Sequence, residues 1–129
     1  KIVAGEVCIQ SRDIGYIARG DKSIWFEFNI ICNMPRSQLD YLEIASKFET
    51  VYVSHVPALN ADELAKLVLF IRFVDVMYDE GVYLVLLADV AAEVIYLTGP
   101  MSKTFERTLS RLKEMQSADY WQRVRTKHL

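Results

Sequence analysis

The chain has 129 residues, 52% of them hydrophobic, which is enough apolar mass for one domain with a real core and too little length for two. Its 15 basic and 17 acidic side chains leave a net charge of −2, which gives no support for a dedicated nucleic-acid binder. No apolar run reaches the ~18 residues of a membrane span, so none is expected.

Three short extended segments are predicted first: Glu6–Gln10, Ile14–Ala18 and Ser23–Phe28. Arg12-Asp13 and Gly20-Asp21-Lys22 supply the turns between them. In the third segment Ile24, Phe26 and Phe28 alternate with Trp25, Glu27 and Asn29, a period of two with one mainly apolar face. Residues 1–30 therefore read as an antiparallel meander. Pro35 breaks it. Ser37 is a good N-cap with Asp40 three residues on, and Tyr41, Ile44 or Ala45, and Phe48 recur at helical spacing. Thr50–Val53 is a short β-rich run that ends in Ser54-His55-Val56-Pro57.

Asn60 and Glu63 then form a capping box at the head of a helix that runs to about Asp79 and stops at Gly81. Between Leu64 and Tyr78 only Lys66, Arg72 and Asp75 interrupt the apolar sequence, which predicts burial on several sides. Val82–Leu87 is an almost unbroken apolar run, as expected of a strand buried on both faces. Helical segments follow at about Ala91–Leu97 and Ser102–Gln116, divided by Gly99-Pro100, and a loose tail begins at Trp121. A crossover helix between two apolar strands implies parallel pairing and a right-handed connection. The expected fold class is thus α/β: an N-terminal antiparallel meander continuing into a mixed sheet with a strand-helix-strand parallel unit, then C-terminal helices. Residues 1–129 are expected to form a single domain, divided into the meander, an αβαβα unit over 36–97, a C-terminal helix over 102–120 and a tail over 121–129.

The segment Phe105–Tyr120 carries the most chemistry. Phe105, Leu109, Leu112 and Met115 share one helical face, and Arg107 and Arg111 lie one turn apart on another. Arginines so spaced repel by a few tenths of a kcal/mol unless an anion offsets them. Either Glu114 pairs with Arg111 in a solvated ladder, or the guanidinium groups form a fork aimed at phosphate. The local pattern admits both. From Lys103 onward Lys and Arg outnumber Asp and Glu, so this end is basic. Arg36 and Asp40 lie near a helix start and read as an ion pair across the cap. Asp75, on the long apolar helix, needs a partner, and Arg72 is available three residues before it.

Nucleophilic or metal chemistry finds little support. His55 and His128 are the only histidines and make no metal spacing, and His55 reads as a hydrogen-bonded structural residue. Cys8 and Cys32, the only cysteines, read as reduced core residues rather than a bridge. No G-x-x-x-x-G-K-[ST] occurs, and no apolar strand ends in Asp-Glu. Such a chain is expected neither to bind nor to hydrolyse a nucleotide alone, and no cofactor or metal is expected on it. No signal peptide is visible, and a start at Lys1 rather than Met reads as a piece of a longer protein.

Taken together, these motifs resemble the C-terminal part of the ZapE family of AAA+ ATPases. The resemblance runs through Trp25-Phe26-Glu27-Phe28, Pro35-Arg36-Ser37-Gln38 with Asp40-Tyr41, and Phe48-Glu49-Thr50-Val51. It continues in Val56-Pro57, Phe70-Ile71, Val74-Asp75, Tyr78-Asp79, Val82 and Leu84-Val85, and ends in Phe105–Leu112, Glu114–Ser117 and Tyr120. It departs at Leu86-Leu87-Ala88-Asp89, where Ser-Ala-Glu would be expected. The resemblance implies an ATP-hydrolysing parent whose phosphate loop and acidic strand end lie upstream, with ATP and Mg²⁺ bound there. It implies Arg107 or Arg111 as the nucleotide-contacting arginine, in cis or in trans. It also implies a cytoplasmic protein linked to cell division and the FtsZ ring in bacteria, and a mitochondrial one in eukaryotes. From the residues themselves a second reading stands beside it: a non-catalytic interaction module whose basic C-terminal helix docks an acidic partner. An apolar face left bare by a missing ATPase part would favour self-association.

Overall fold

A computed structural model describes residues 4–128. The antiparallel stretch predicted at the N-terminus is present but divided between two sheets. Strands β1 (Gly5–Ile9) and β2 (Arg12–Tyr16) pair as a separate hairpin. Strands β3 (Ala18–Arg19) and β4 (Ser23–Glu27) pair antiparallel and open the main sheet. The first turn is Gln10-Ser11, not Arg12-Asp13. Both turn residues have φ near +60°, as a two-residue hairpin of primed type requires, and Arg12 already pairs with Ile9. Glu43 fixes that turn, its carboxylate accepting from the Gln10 backbone N–H at 3.0 Å and side-chain amide at 2.7 Å.

A short helix, α1 (Phe28–Ile31), follows β4, and then α2 (Gln38–Lys47). Helix α2 buries Tyr41, Ile44 and Ala45, as their spacing predicts. Strand β5 (Thr50–Val56) runs three residues past the predicted Val53, through a bulge at His55. Asn60 and Glu63 cap a 3₁₀ turn over Ala61–Glu63 that feeds α3 (Leu64–Asp79). Gly81, at φ +68°, ends α3 in a Schellman turn: the Val82 N–H donates to Met77 O at 2.9 Å and the Gly81 N–H to Tyr78 O at 3.3 Å. Strand β6 (Tyr83–Ala88) then returns beside β5.

The main sheet has the order β3-β4-β5-β6, with β4, β5 and β6 parallel. The predicted pairing of the two apolar strands around a buried helix is therefore observed. Leu69, Phe70, Phe73 and Val74 of that helix are all buried. Both crossovers step the same way across the sheet. Right-handed connections therefore place α2 and α3 on one face, where Tyr41 of α2 meets Phe73 of α3 edge-on at 5.2 Å between ring centroids.

Several expectations are corrected. Strand β6 is not buried on both faces: its residues are half-buried or exposed, with Leu87 47% exposed, because β6 is an edge strand and the sheet face away from α3 is open. Ala91–Leu97 is not a helix beyond one 3₁₀ turn over Ala92–Val94. Helix α4 (Ser102–Glu114) is as predicted, but the residues after it are not a loose tail. They form α5 (Ala118–Lys127), capped by Ser117, whose hydroxyl accepts from the Tyr120 N–H at 3.1 Å. Tyr120 and Val124 of α5 are buried. Cys8 is exposed, because it alternates with buried Val7 and Ile9 along β1; Cys32 is buried, and both are free.

Candidate functional site

The two arginines singled out on α4 have different surroundings. Arg111 points at α3. Its Nη1 donates to Asp75 Oδ1 at 2.6 Å, with both side chains 26% exposed. Its guanidinium carbon also lies 5.0 Å from the centre of the Tyr78 ring. The predicted partners are thus wrong for both members of this pair. Glu114 is not bound to Arg111; its Oε2 accepts from the Tyr78 hydroxyl at 2.7 Å. Arg72 is not bound to Asp75; it is exposed. The reason is geometric. Neighbours on one helix meet across solvent and gain a few tenths of a kcal/mol, whereas an arginine from a packed second helix meets the carboxylate where water is scarce.

Arg107, one turn earlier, is exposed. Among the described residues it makes no ion pair and no side-chain hydrogen bond. The structure therefore does not bring the pair together as a fork. One guanidinium is held at the α3–α4 seam and the other is free.

Aromatic rings complete that seam, and the sequence reading missed them. Tyr78 stacks on Tyr120 of α5 with centroids 5.9 Å apart. Arg123 lies over both rings, 5.4 Å from Tyr78 and 5.0 Å from Tyr120. The Tyr120 hydroxyl reaches Val82 O at 2.7 Å, which locks α5 to the turn that ends α3. Burial pushes its pKa up to about 12. The Tyr78 hydroxyl is raised chiefly by its hydrogen bond to Glu114. Ser117, with Tyr120 and Val124 at helical spacing behind it, is the sequence signal that could have found α5.

At the head of α2, Asp40 does act in the cap: its Oδ2 accepts from the Ser37 N–H at 2.7 Å and the Ser37 hydroxyl at 3.2 Å. Its ion pair is not with Arg36 but with Arg12, whose Nη2 lies 2.7 and 2.8 Å from the two carboxylate oxygens. Asp40 is fully buried and Arg12 comes from the separate hairpin, so this contact fastens the hairpin to α2. Arg36 instead donates from Nε to Ile30 O at 3.0 Å and closes the α1–α2 loop.

His55 is 69% exposed and sits at φ +60°, a conformation few residues of its kind adopt. Its Nδ1 lies 2.8 Å from Glu27 Oε2 on the neighbouring strand, and that hydrogen bond raises the imidazole pKa. His128 is apart from it, its Nε2 lying 3.2 Å from Gly81 O.

The residues do not fit a nucleotide cradle. Gly15–Ser23 has glycines at phosphate-loop spacing but carries an extra Asp21 before Lys22, and it runs from β2 into β4 with no helix after it. Phosphate loops work through a helix N-terminus. Among the described residues no group of three or more His, Cys, Asp or Glu is clustered. No helix among them is long and apolar enough to cross a membrane.

Fold and site together define an α/β module with an exposed arginine, Arg107, on α4. The chain belongs to the AFG1-like ATPase family, whose profile matches residues 4–124. It is 33% identical to the cell division protein ZapE of Escherichia coli K12, over 89% of this chain and 31% of that protein. It is 32% identical to lactation elevated protein 1 homolog B of Danio rerio, over 92% of this chain and 29% of that protein. An uncharacterized protein of Schizosaccharomyces pombe is 30% identical over 74% of this chain and 27% of its own length. The chain thus spans less than a third of the curated relatives it matches. No solved structure matches it.

Proposed function

We propose that the chain is the C-terminal region of a ZapE-like AAA+ ATPase and that Arg107 is its nucleotide-contacting residue. The observation that carries this reading is the contrast on α4: Arg111 is occupied by Asp75, and Arg107 is exposed and unpaired among the described residues. ATP and Mg²⁺ would be held by the rest of the parent, where the metal neutralises charge on the phosphates. From α4, a guanidinium reaching the transferring phosphoryl group stabilises the charge that spreads over its oxygens, an effect worth ~10³–10⁵ in rate where measured. The chain alone then does not hydrolyse ATP. In a bacterium the parent acts in cell division, in keeping with the name of the Escherichia coli relative, and is a cytoplasmic protein with FtsZ as a partner; a eukaryotic parent is mitochondrial.

Phosphate release by the full-length polypeptide tests this. Arg107→Ala should lower turnover at least about tenfold while leaving the thermal midpoint unchanged. Turnover at the parental rate would remove Arg107 from the site. Steady phosphate release by the 129-residue chain, surviving controls for contaminants, would sink the division of labour.

A second reading is favoured by the exposed cations of α4 and α5, among them Lys103, Arg107, Lys113, Arg125 and Lys127. They suit an acidic protein partner and need no nucleotide. Salt-sensitive binding of such a partner, unaffected by ATP, would support it.

A further inference from the structure

The main sheet is covered on only one face. Parallel sheets are almost always buried on both, because their crossover helices supply the cover. Here both crossovers run the same way and leave the opposite face bare. The register sets Trp25, Tyr52 and Val85 in one row across that face, and Glu27, Ser54 and Leu87 in the next. Tyr52 is 38% and Leu87 47% exposed. A groove of about 500 Å³ lies along these residues, floored by Trp25, Tyr52, Val85 and Leu87 and reaching Arg19 at one end. Strand β6 has the unbroken apolar sequence of a strand covered on both sides, yet its outer face meets water.

The C-terminal end of this face is acidic. Arg19 pairs across from Ile24, a buried residue of the covered face, and its guanidinium lies 4.9 Å from the centre of the Phe48 ring, so it does not charge the open face. At the C-terminal ends of the parallel strands stand Glu27, which pairs with His55, and Asp89, which borders the adjoining cleft with His55. A helix lying antiparallel to the strands, as crossover helices do, would point its positive N-terminus at Glu27 and Asp89. The three parallel strands span about 10 Å, the width of one helix.

We propose that this face seats one helix from the part of the ATPase polypeptide outside these residues, running antiparallel to β4, β5 and β6. The inference rests on the reading of the chain as part of a longer ATPase, and the relatives, matched over less than a third of their length, have the polypeptide to supply such a helix. The helix presents an apolar stripe to Trp25, Tyr52 and Leu87 and completes the second layer over the sheet.

Hydroxyl-radical footprinting, read residue by residue by mass spectrometry, tests this on the full-length polypeptide and on the 129-residue chain. Oxidation of Trp25, Tyr52 and Leu87 should fall severalfold in the full-length protein relative to the chain. Tyr52→Arg, an outward-facing substitution, should restore oxidation of Trp25 and Leu87 there. Equal oxidation in the two polypeptides would overturn the proposal. So would concentration-dependent protection of the same residues in the chain alone, matched by a dimer in sedimentation, since the occupant would then be a second copy. Phosphate release measured on the same full-length sample keeps the outcomes apart: an active protein with an oxidisable Trp25 loses the docking helix but keeps the ATPase reading.

Discussion

Helix α3 is apolar nearly all round and α4 along a single stripe, and the two treat their charged residues differently as a result. On α3 the buried side chains Phe70, Phe73 and Val74 fix the helix between the sheet and its neighbours, and Asp75 is tolerated because Arg111 comes to meet it. On α4 only Phe105, Thr108 and Leu112 are buried, so most of its charges remain in water and Arg107 is unengaged among the described residues. A buried helix spends its polar groups on its own packing; a half-covered one can offer them to something else. That difference is what makes α4 the better place to look for function.

The contrast breaks most visibly in the core. Phe73→Ala or Phe70→Ala should cost about 3–5 kcal/mol of stability, read as a fall in the denaturant midpoint. A loss below about 1 kcal/mol at both sites would mean that α3 is not packed as described. The seam between the helices comes next. Arg111→Ala and Asp75→Ala should each cost about 1–2 kcal/mol, and a double-mutant cycle should show that the losses do not add. Additive losses would mean that the pair contributes nothing as a pair. Arg107→Ala is the matching test on the exposed side of α4. Its effect on stability should lie within about 0.5 kcal/mol, so that any loss of turnover in the parent is chemical and not a folding defect.

The smallest effect concerns His55, exposed like Arg107 but paired with Glu27. Its hydrogen bond to Glu27 raises the imidazole pKa above the ordinary 6.5. A raised folded-state value means that the pair's contribution is fully present below about pH 6.5 and is lost as the pH climbs through the raised value. An NMR titration should show the His55 ring titrating lower in Glu27→Gln than in the parent sequence. Coincident titrations would show that the carboxylate does not act on the ring.

Local signals were sufficient for much of the fold. Asn60 and Glu63 announce a capping box, Gly81 a left-handed stop, and the apolar run from Leu64 a buried helix; each depends on residues within a few positions of one another. The parallel pairing of β5 with β6 also followed, because a long helix between two apolar strands leaves few other connections. The sequence also carried the resemblance that led to the family. What it could not supply were partners distant in the chain. Asp40 takes Arg12, 28 residues before it, rather than Arg36, and Asp75 takes Arg111, 36 residues after it, rather than Arg72. Tyr120 turns an expected tail into a helix by reaching the end of α3. A nearby charge is always available on paper, but an ion pair or hydrogen bond is strongest where packing excludes water, and only the tertiary structure decides which groups meet there. The same holds for what stays bare: that β6 is open on one side follows from how the helices pack and in which direction the sheet is wound.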